Sequence, residues 1–196
     1  MAPNIRLFID KNIRGVFEQG AYQSWGSEMA ELRAWVLAKL LWDPELDEEK
    51  LREEFLTGYY GPAARPMESY LEGLEKAVKK SEDALGCYSP ADAKFLSLDT
   101  LAQSWRILEA AKKKARRSAE YGRRVRRASL PVAYVVLTRW DALREDARKT
   151  GKSWPWPETR DAFLDWFLRA AREENITMIS EWQTLGDWAA KGGRTK

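Results

Sequence analysis

The segment IRGVF, residues 13–17, is the one good strand candidate in a chain whose other apolar residues mostly recur at helical spacing. Its alternation places Ile13 and Phe17 on one face and Val16 and Glu18 on the other. A lone strand is unstable because its backbone N–H and C=O groups need partners. The segment therefore either pairs with something outside this chain or is an extended connection.

Helical periodicity accounts for most of the remaining sequence, so the predicted fold class is mainly α. Three of the predicted helices matter below. The first covers residues 28–42 and has Ser27 as its N-cap. The second covers residues 99–128, and the third begins at Pro131. The first is apolar over most of its circumference, and we expect it to be covered on two sides. ITMIS, residues 176–180, is a weak second strand at most, and SEWQ, residues 180–183, predicts a capping box for the last helix.

Composition excludes several kinds of chemistry. The chain contains no histidine and a single cysteine, which removes Ser-His-Asp and Cys-His catalysis and the usual zinc ligand sets. We therefore expect no metal and no cofactor. No apolar run approaches the roughly 20 residues of a membrane span, and no signal peptide is recognisable. We expect no membrane partner and, for this chain by itself, a cytoplasmic location.

Positive charge is concentrated in residues 112–127, KKKARRSAEYGRRVRR, which hold nine Lys or Arg and one Glu. This stretch carries +8, so the rest of a chain of net charge +3 carries −5. Such a run predicts either salt-dependent binding of nucleic acid or another anion, or a helix face paired with acidic neighbours. No recognised nucleic-acid motif accompanies it, which favours the second interpretation.

The order helix, strand, acidic residue, apolar helix is that of one turn of a parallel α/β architecture. In a (β/α)8 barrel, functional residues lie at the C-terminal ends of the strands, and Glu18 occupies such a position. The same pattern also fits a loop carboxylate that caps a backbone amide.

The wording of the sequence itself resembles a known family. The stretch from IRGVFEQGAYQSWGSEMAELRAW to TGYYGPAA (residues 13–64), the phrase RVRRASLPVAYVVL (124–137) and ITMISEW (176–182) resemble the bacterial family called domain of unknown function 4838. Its members look like glycoside hydrolases with a barrel related to those of α-glucuronidases and hexosaminidases. The resemblance covers nearly all of the chain.

The resemblance implies that GVFEQG is the final strand of a catalytic barrel. Residues 1–43 are then the last α–β–α segment of a (β/α)8 barrel, and residues 44–196 form a helical C-terminal domain. The site residues that it implies contact sugar: Glu18, Gln19, Tyr22 and Trp25.

The function implied is ancillary. The chain would be the C-terminal helical portion of a carbohydrate-active protein, with carbohydrate, the rest of the barrel and a possible second copy as partners. Glycosidases generally need two carboxylates, and Glu18 with the nearby Glu28 does not make a confident catalytic pair. We therefore expect Glu18 to be a supporting carboxylate and the chain alone to be inactive. The alternative is a stand-alone helical module that binds nucleic acid or other anions through residues 112–127.

Overall fold

A computed structural model describes residues 1–20, 26–82, 86 and 91–193. Within these residues the chain is mainly helical, as predicted, with one small antiparallel sheet. The elements are α1 (Ala2–Asp10), α2 (Ala30–Trp42), α3 (Glu48–Tyr60), a 3-10 turn (Gly61–Ala63), α4 (Ala64–Ser81), α5 (Leu98–Ala115), α6 (Ala119–Thr138), α7 (Trp140–Thr150), α8 (Arg160–Glu173), β1 (Met178–Ser180), β2 (Gln183–Thr184) and α9 (Leu185–Ala190). Within the described ranges, no helix has the length and apolar character needed to cross a membrane.

One hydrophobic core connects the helices. Helix α5 packs between α4 and α6, and α6 also packs against α8, while α3 packs against α2 and α4. Buried side chains of α1 and α2, among them Ile5 and Leu40, belong to the same core as Trp188 of α9. The core therefore extends across the sequence boundary predicted at residue 43.

Helix starts follow the distribution of short polar side chains. Oδ1 of Asp47 accepts hydrogen bonds from the backbone N–H groups of Glu49 and Lys50 at 2.9 and 3.2 Å, which caps α3. Ser97, Ser118, Thr159 and Thr184 cap α5, α6, α8 and α9 in the same way. Each cap satisfies an N–H group that has no partner within its own helix.

The capping box predicted at residues 180–183 is wrong. Ser180 and Gln183 face each other across a short hairpin in which β1 pairs with β2, and the cap of the last helix is Thr184. The weak strand candidate at residues 176–180 is thus a real strand, and its partner is the segment that had been predicted to start a helix.

The helix predicted over residues 99–128 is interrupted, and the one predicted to start at Pro131 starts earlier. Helix α5 ends at Ala115, and Ser118 accepts from the N–H of Tyr121 at 3.3 Å to begin α6. Pro131 lies inside α6. A proline there forfeits one backbone hydrogen bond, and the apolar residues that follow it stay helical because they are buried: Val132, Ala133, Val136 and Leu137.

Helix α2 differs from prediction in two respects. Its N-terminal residue is preceded by Met29 in the left-handed conformation, with φ of 46°, and Ser27 does not act as the cap. It is also covered on one side only, because Val36 and Leu40 are buried while Leu41 and Trp42 are exposed. The apolar circumference of this helix is therefore left partly open to solvent.

Residues 13–20 belong to no helix or strand, so the strand predicted over residues 13–17 is not formed. The N–H of Ile13 donates to the carbonyl of Phe8 at 2.9 Å, at the end of α1. Beyond that bond, residues 14–20 make no backbone hydrogen bond to any part of the chain that the structure describes. Without a neighbouring strand among the described residues, this segment cannot form a stable strand by itself.

Candidate functional site

The sequence predicted a sugar-contacting set of four residues, and the structure describes two of them. Glu18 and Gln19 are exposed on the irregular segment that follows α1. Their side chains make no hydrogen bond or ion pair with the described residues. Tyr22 and Trp25 lie outside the described residues. Within the described part of the chain, the predicted set therefore has no enclosed site around it.

The same segment exposes large apolar side chains. Phe17 is 88% exposed, and Ile13 and Val16, which alternation assigns to opposite faces, are 46% and 42% exposed. Trp42 at the end of α2 is 91% exposed. A monomeric surface that leaves aromatic and aliphatic side chains uncovered at neighbouring positions is typical of an interface.

Helix α1 and the end of α2 lie side by side at this surface. Nε of Arg6 donates to the carbonyl of Pro44 at 3.2 Å, two residues beyond Trp42. Leu7 and Ile9 of α1 are each about half exposed. We call the exposed apolar residues of this region the open apolar surface: Leu7, Ile9, Ile13, Val16, Phe17, Leu41 and Trp42.

A carboxyl group that the sequence did not single out as a site lies just before α2. The hydroxyl of Tyr70 lies 3.1 Å from both carboxyl oxygens of Glu28. Tyr70 belongs to α4 and is buried. On the other side, Nη2 of Arg33 donates to Oγ of Ser27 at 2.7 Å, which holds this cation close to the Glu28 carboxylate.

Burial raises the pKa of Glu28 from 4.5 to about 7, against the opposing effects of the Tyr70 hydrogen bond and the Arg33 charge. Burial likewise raises the pKa of Tyr70 well above its usual value, with the Glu28 charge adding to the effect. Tyr70 is therefore a hydrogen-bond donor near neutral pH, and Glu28 changes its protonation state there. A carboxyl of this kind can hold or release a proton at neutral pH.

Sequence reasoning assigned Glu28 to the first turn of a helix and gave it no role. Its partner is 42 residues away, and no local spacing signals that contact. Tyr70 faces the protein core from α4, and a buried tyrosine hydroxyl needs an acceptor. That need was the only available signal.

A second charged cluster, which we call the Arg–Glu174 cluster, joins α6 to the end of α8. The side chain of Glu174 is only 1% exposed, and its Oε2 lies 2.7 Å from Nη1 of Arg123 and 3.5 Å from Nη1 of Arg127. Nη2 of Arg126 lies 3.8 Å from the other oxygen. Three arginines of the basic run therefore surround one buried carboxylate.

Two arginines of the same basic run, Arg124 and Arg127, extend the cluster to α2 and α3. Arg127 also pairs with Glu31 of α2 and donates to the Tyr59 hydroxyl. Arg124 donates to the Tyr59 carbonyl at 2.7 Å and stacks over its ring at 4.1 Å. The second half of the basic run is thus paired internally, as the acidic-neighbour interpretation expected.

The first half of the basic run is different. Lys112 pairs with Glu109 at 3.6 Å. Lys113, Lys114, Arg116 and Arg117 are exposed and have no ion-pair partner among residues 1–20, 26–82, 86 and 91–193. In those residues no group of three or more metal-ligating side chains is present either.

Comparison with known families bears on the first third of the chain. Residues 1–72 match the family model described as "Domain of unknown function (DUF4838)". This part of the chain is similar to that family. No curated protein and no solved structure matches the chain.

The DUF4838 segment, residues 1–72, contains all four predicted sugar-contacting residues, the whole open apolar surface and the Glu28–Tyr70 pair. The phrases at residues 124–137 and 176–182, which also resembled the family, lie beyond the matched residues. The Arg–Glu174 cluster joins the two parts, because Glu31 and Tyr59 lie in the DUF4838 segment and Glu174 does not.

Proposed function

We propose that this chain is the helical C-terminal portion of a glycoside-hydrolase-like protein, and that it supports a (β/α)8 barrel without turnover of its own. We call the polypeptide that combines the barrel with this sequence the parent protein. In it, residues 13–18 form a barrel strand, and Glu18, Gln19, Tyr22 and Trp25 contact carbohydrate at the C-terminal end of that strand.

The observation that carries the proposal is the exposure of the apolar side chains of residues 13–17. Their apolar side chains fall on both faces of the extended segment, as in a strand covered on both sides, yet Ile13, Val16 and Phe17 are exposed. Beyond the Ile13 N–H, the backbone of these residues makes no hydrogen bond to the described part of the chain. Burying apolar surface is worth about 25 cal/mol per Å², and an unpaired backbone group gains a partner in a sheet. Both gains are available only to a chain that supplies neighbouring strands.

The open side of α2 supports the same arrangement. In a barrel, the helix after a strand packs back on the sheet, and here the uncovered residues Leu41 and Trp42 belong to that helix. Its opposite face is already buried against the helical core through Val36 and Leu40. Helix α2 thus connects the proposed barrel with the helical portion.

Glu18 acts in this proposal as a supporting carboxylate. In the isolated chain it is exposed, without the low-dielectric wall and the second carboxylate that glycoside hydrolysis requires. The parent protein supplies both from its other strands. The isolated chain is therefore inactive, and the parent protein is active.

The test measures turnover of aryl glycosides and aryl uronides by the isolated chain and by the parent protein. We expect none from the chain, and turnover from the parent that falls about 10-fold or more in Glu18→Gln. Glu45→Gln is the matched control, because Glu45 is exposed and lies outside the barrel segment. Turnover by the isolated chain, or a parent protein indifferent to Glu18→Gln, contradicts the proposal.

The rival function is an anion-binding module, and the exposed cations at residues 113–117 support it. The internal pairing of Arg123, Arg124 and Arg127 weighs against it, because those cations already have partners. Binding of labelled single- and double-stranded DNA at low and moderate salt decides the matter. Salt-sensitive binding that Lys113→Gln with Arg116→Gln removes favours the module, and its absence eliminates it.

A further inference from the structure

A cavity of about 490 Å³ lies between α4 and the start of α5, outside the DUF4838 segment. Its volume is in the range of small-molecule sites. Its wall combines three lysines, several hydroxyl or amide groups and a few apolar side chains. The lining residues include Gly73, Lys76, Lys80, Lys94, Asp99 and Ser104.

The cavity is positively charged. Lys76 and Lys80 are one helical turn apart on α4, and Lys94 approaches from the segment before α5. None of the three has an ion-pair partner in the described chain. The single carboxylate of the wall, Asp99, is already engaged by Nζ of Lys152 at 2.7 Å. The cavity is therefore lined by three lysines without ion-pair partners among the described residues, and its one carboxylate is already paired.

Ser104 supplies an unpartnered polar group in the wall. The residue is only 4% exposed, and its hydroxyl makes no hydrogen bond to the residues that the structure describes. By contrast, the hydroxyls of Ser97 and Thr100 bond each other at 3.0 Å. The Ser104 hydroxyl lies at the cavity wall, where a ligand oxygen can form the hydrogen bond that the described protein atoms do not supply.

Backbone dipoles add to the field of the lysines. Helix α5 begins at Leu98, so its N-terminal end, with its partial positive charge, lies at the cavity. On the opposite wall, a Cβ added at Gly73 would meet no atom within 4 Å. The glycine therefore leaves open space for a ligand beside the lysines.

From this arrangement we propose that the cavity between α4 and α5 binds a small organic phosphate of the size and polarity of a phosphorylated polyol. The lysines and the α5 N-terminus hold the phosphate group. The Ser104 hydroxyl and the Gln103 amide bond the hydroxyls of the ligand body. The site is separate from the basic run, because residues 112–117 lie at the other end of α5, about 20 Å away at 1.5 Å per residue.

The test is calorimetric titration of the chain with glycerol 3-phosphate, with inorganic phosphate and glycerol as comparison probes. We expect binding of glycerol 3-phosphate, weaker binding of phosphate and none of glycerol. The double variant Lys76→Gln with Lys80→Gln raises the Kd about tenfold or more, since two charge-assisted contacts are lost. Lys113→Gln with Lys114→Gln changes the net charge equally at the other end of α5 and leaves the Kd within twofold.

Two further variants test the cavity itself. Gly73→Leu keeps all three lysines and fills the open space, and helix α4 tolerates it because leucine is a better helix former than glycine. Ser104→Ala removes the unpartnered hydroxyl. Both are expected to weaken binding while circular dichroism stays unchanged. Absence of binding to wild type, or equal losses in the two double-lysine variants, overturns the proposal.

Discussion

The hydroxyl of Tyr70 lies 3.1 Å from each carboxyl oxygen of Glu28, so the chain just before α2 is tied to the middle of α4 across 42 residues. A second contact holds the next residue, because the Tyr60 hydroxyl of α3 donates to the sulfur of Met29 at 3.5 Å. These contacts fix the start of α2 against the helical core. The segment that precedes it, residues 13–20, makes no such contact with the described residues beyond the backbone bond of Ile13.

The Glu28 carboxyl makes the free energy of unfolding depend on pH. Its pKa is raised by burial to about 7 from 4.5, so between these values the folded chain keeps a proton that the unfolded chain has released. Stability due to this group is therefore fully present below about pH 4.5, falls as the pH rises towards 7, and is flat above it. The loss is up to about 3 kcal/mol.

Glu28→Gln tests this dependence, because an amide cannot release the proton and its carbonyl still accepts from Tyr70. We expect the variant to lose less stability than wild type between pH 5 and pH 8, as measured by urea unfolding at four pH values. Glu18→Gln, at an exposed position, is the control and should follow the wild-type curve. Parallel curves for Glu28→Gln and wild type would contradict the assignment.

Removing the carboxylate of the Arg–Glu174 cluster should lower the free energy of unfolding much more than removing the carboxylate of an exposed ion pair. Glu174→Ala leaves Arg123, Arg126 and Arg127 around a vacated buried position and should cost about 3–5 kcal/mol in free energy of unfolding. Glu145→Ala removes the exposed partner of Arg148 and should change the free energy of unfolding far less, because water screens that pair. Chemical denaturation measures both, and similar losses for the two variants would show that the buried cluster is not special.

Two glycines of the α3 region should respond oppositely to alanine. Gly61 has φ of +53°, and a Cβ there would lie 2.5 Å from the ring of Tyr121, so Gly61→Ala must strain the backbone and displace the ring. Gly58 lies inside α3 with no atom within 4 Å of an added Cβ. Gly58→Ala should raise the free energy of unfolding by about 0.5–1 kcal/mol. Thermal unfolding of the pair checks both signs, and a stabilised Gly61→Ala would be inconsistent with the observed packing.

Substitutions in the open apolar surface should change the free energy of unfolding differently in the isolated chain and in the parent protein. Phe17→Ser and Trp42→Ser remove side chains that are about nine-tenths exposed, so each should change the stability of the isolated chain by less than about 0.5 kcal/mol. In the parent protein the same substitutions should be clearly destabilising, because the proposed barrel buries these side chains. Comparable, small effects in both contexts would mean that the surface stays open.

The spacing of apolar residues in the sequence predicted that the chain is mainly helical. It did not predict where several of the helices begin and end. Spacing of apolar residues was sufficient to predict α2, whose observed range, Ala30–Trp42, lies within the predicted residues 28–42. Pro131 misled because a proline usually begins a helix, whereas here burial of the following residues offsets one lost hydrogen bond. Gln183 misled because a helix cap and a tight hairpin use similar polar residues.

The candidate site was harder to predict than the fold. The Glu28–Tyr70 pair and the Glu174 cluster join residues 42 and about 50 positions apart, and no period in the sequence encodes such contacts. The strand at residues 13–17 was predicted from alternation, which is a property of the segment. Whether it pairs depends on neighbouring strands, and the described chain supplies none.

The central claim is that residues 14–18 become a barrel strand in the parent protein. Hydrogen–deuterium exchange of their backbone amides, compared between the isolated chain and the parent protein, tests it most directly. We predict complete exchange at the shortest time in the isolated chain and strong protection in the parent, with amides of α5 protected in both as the internal control. Rapid exchange of residues 14–18 in the parent protein as well would contradict the account.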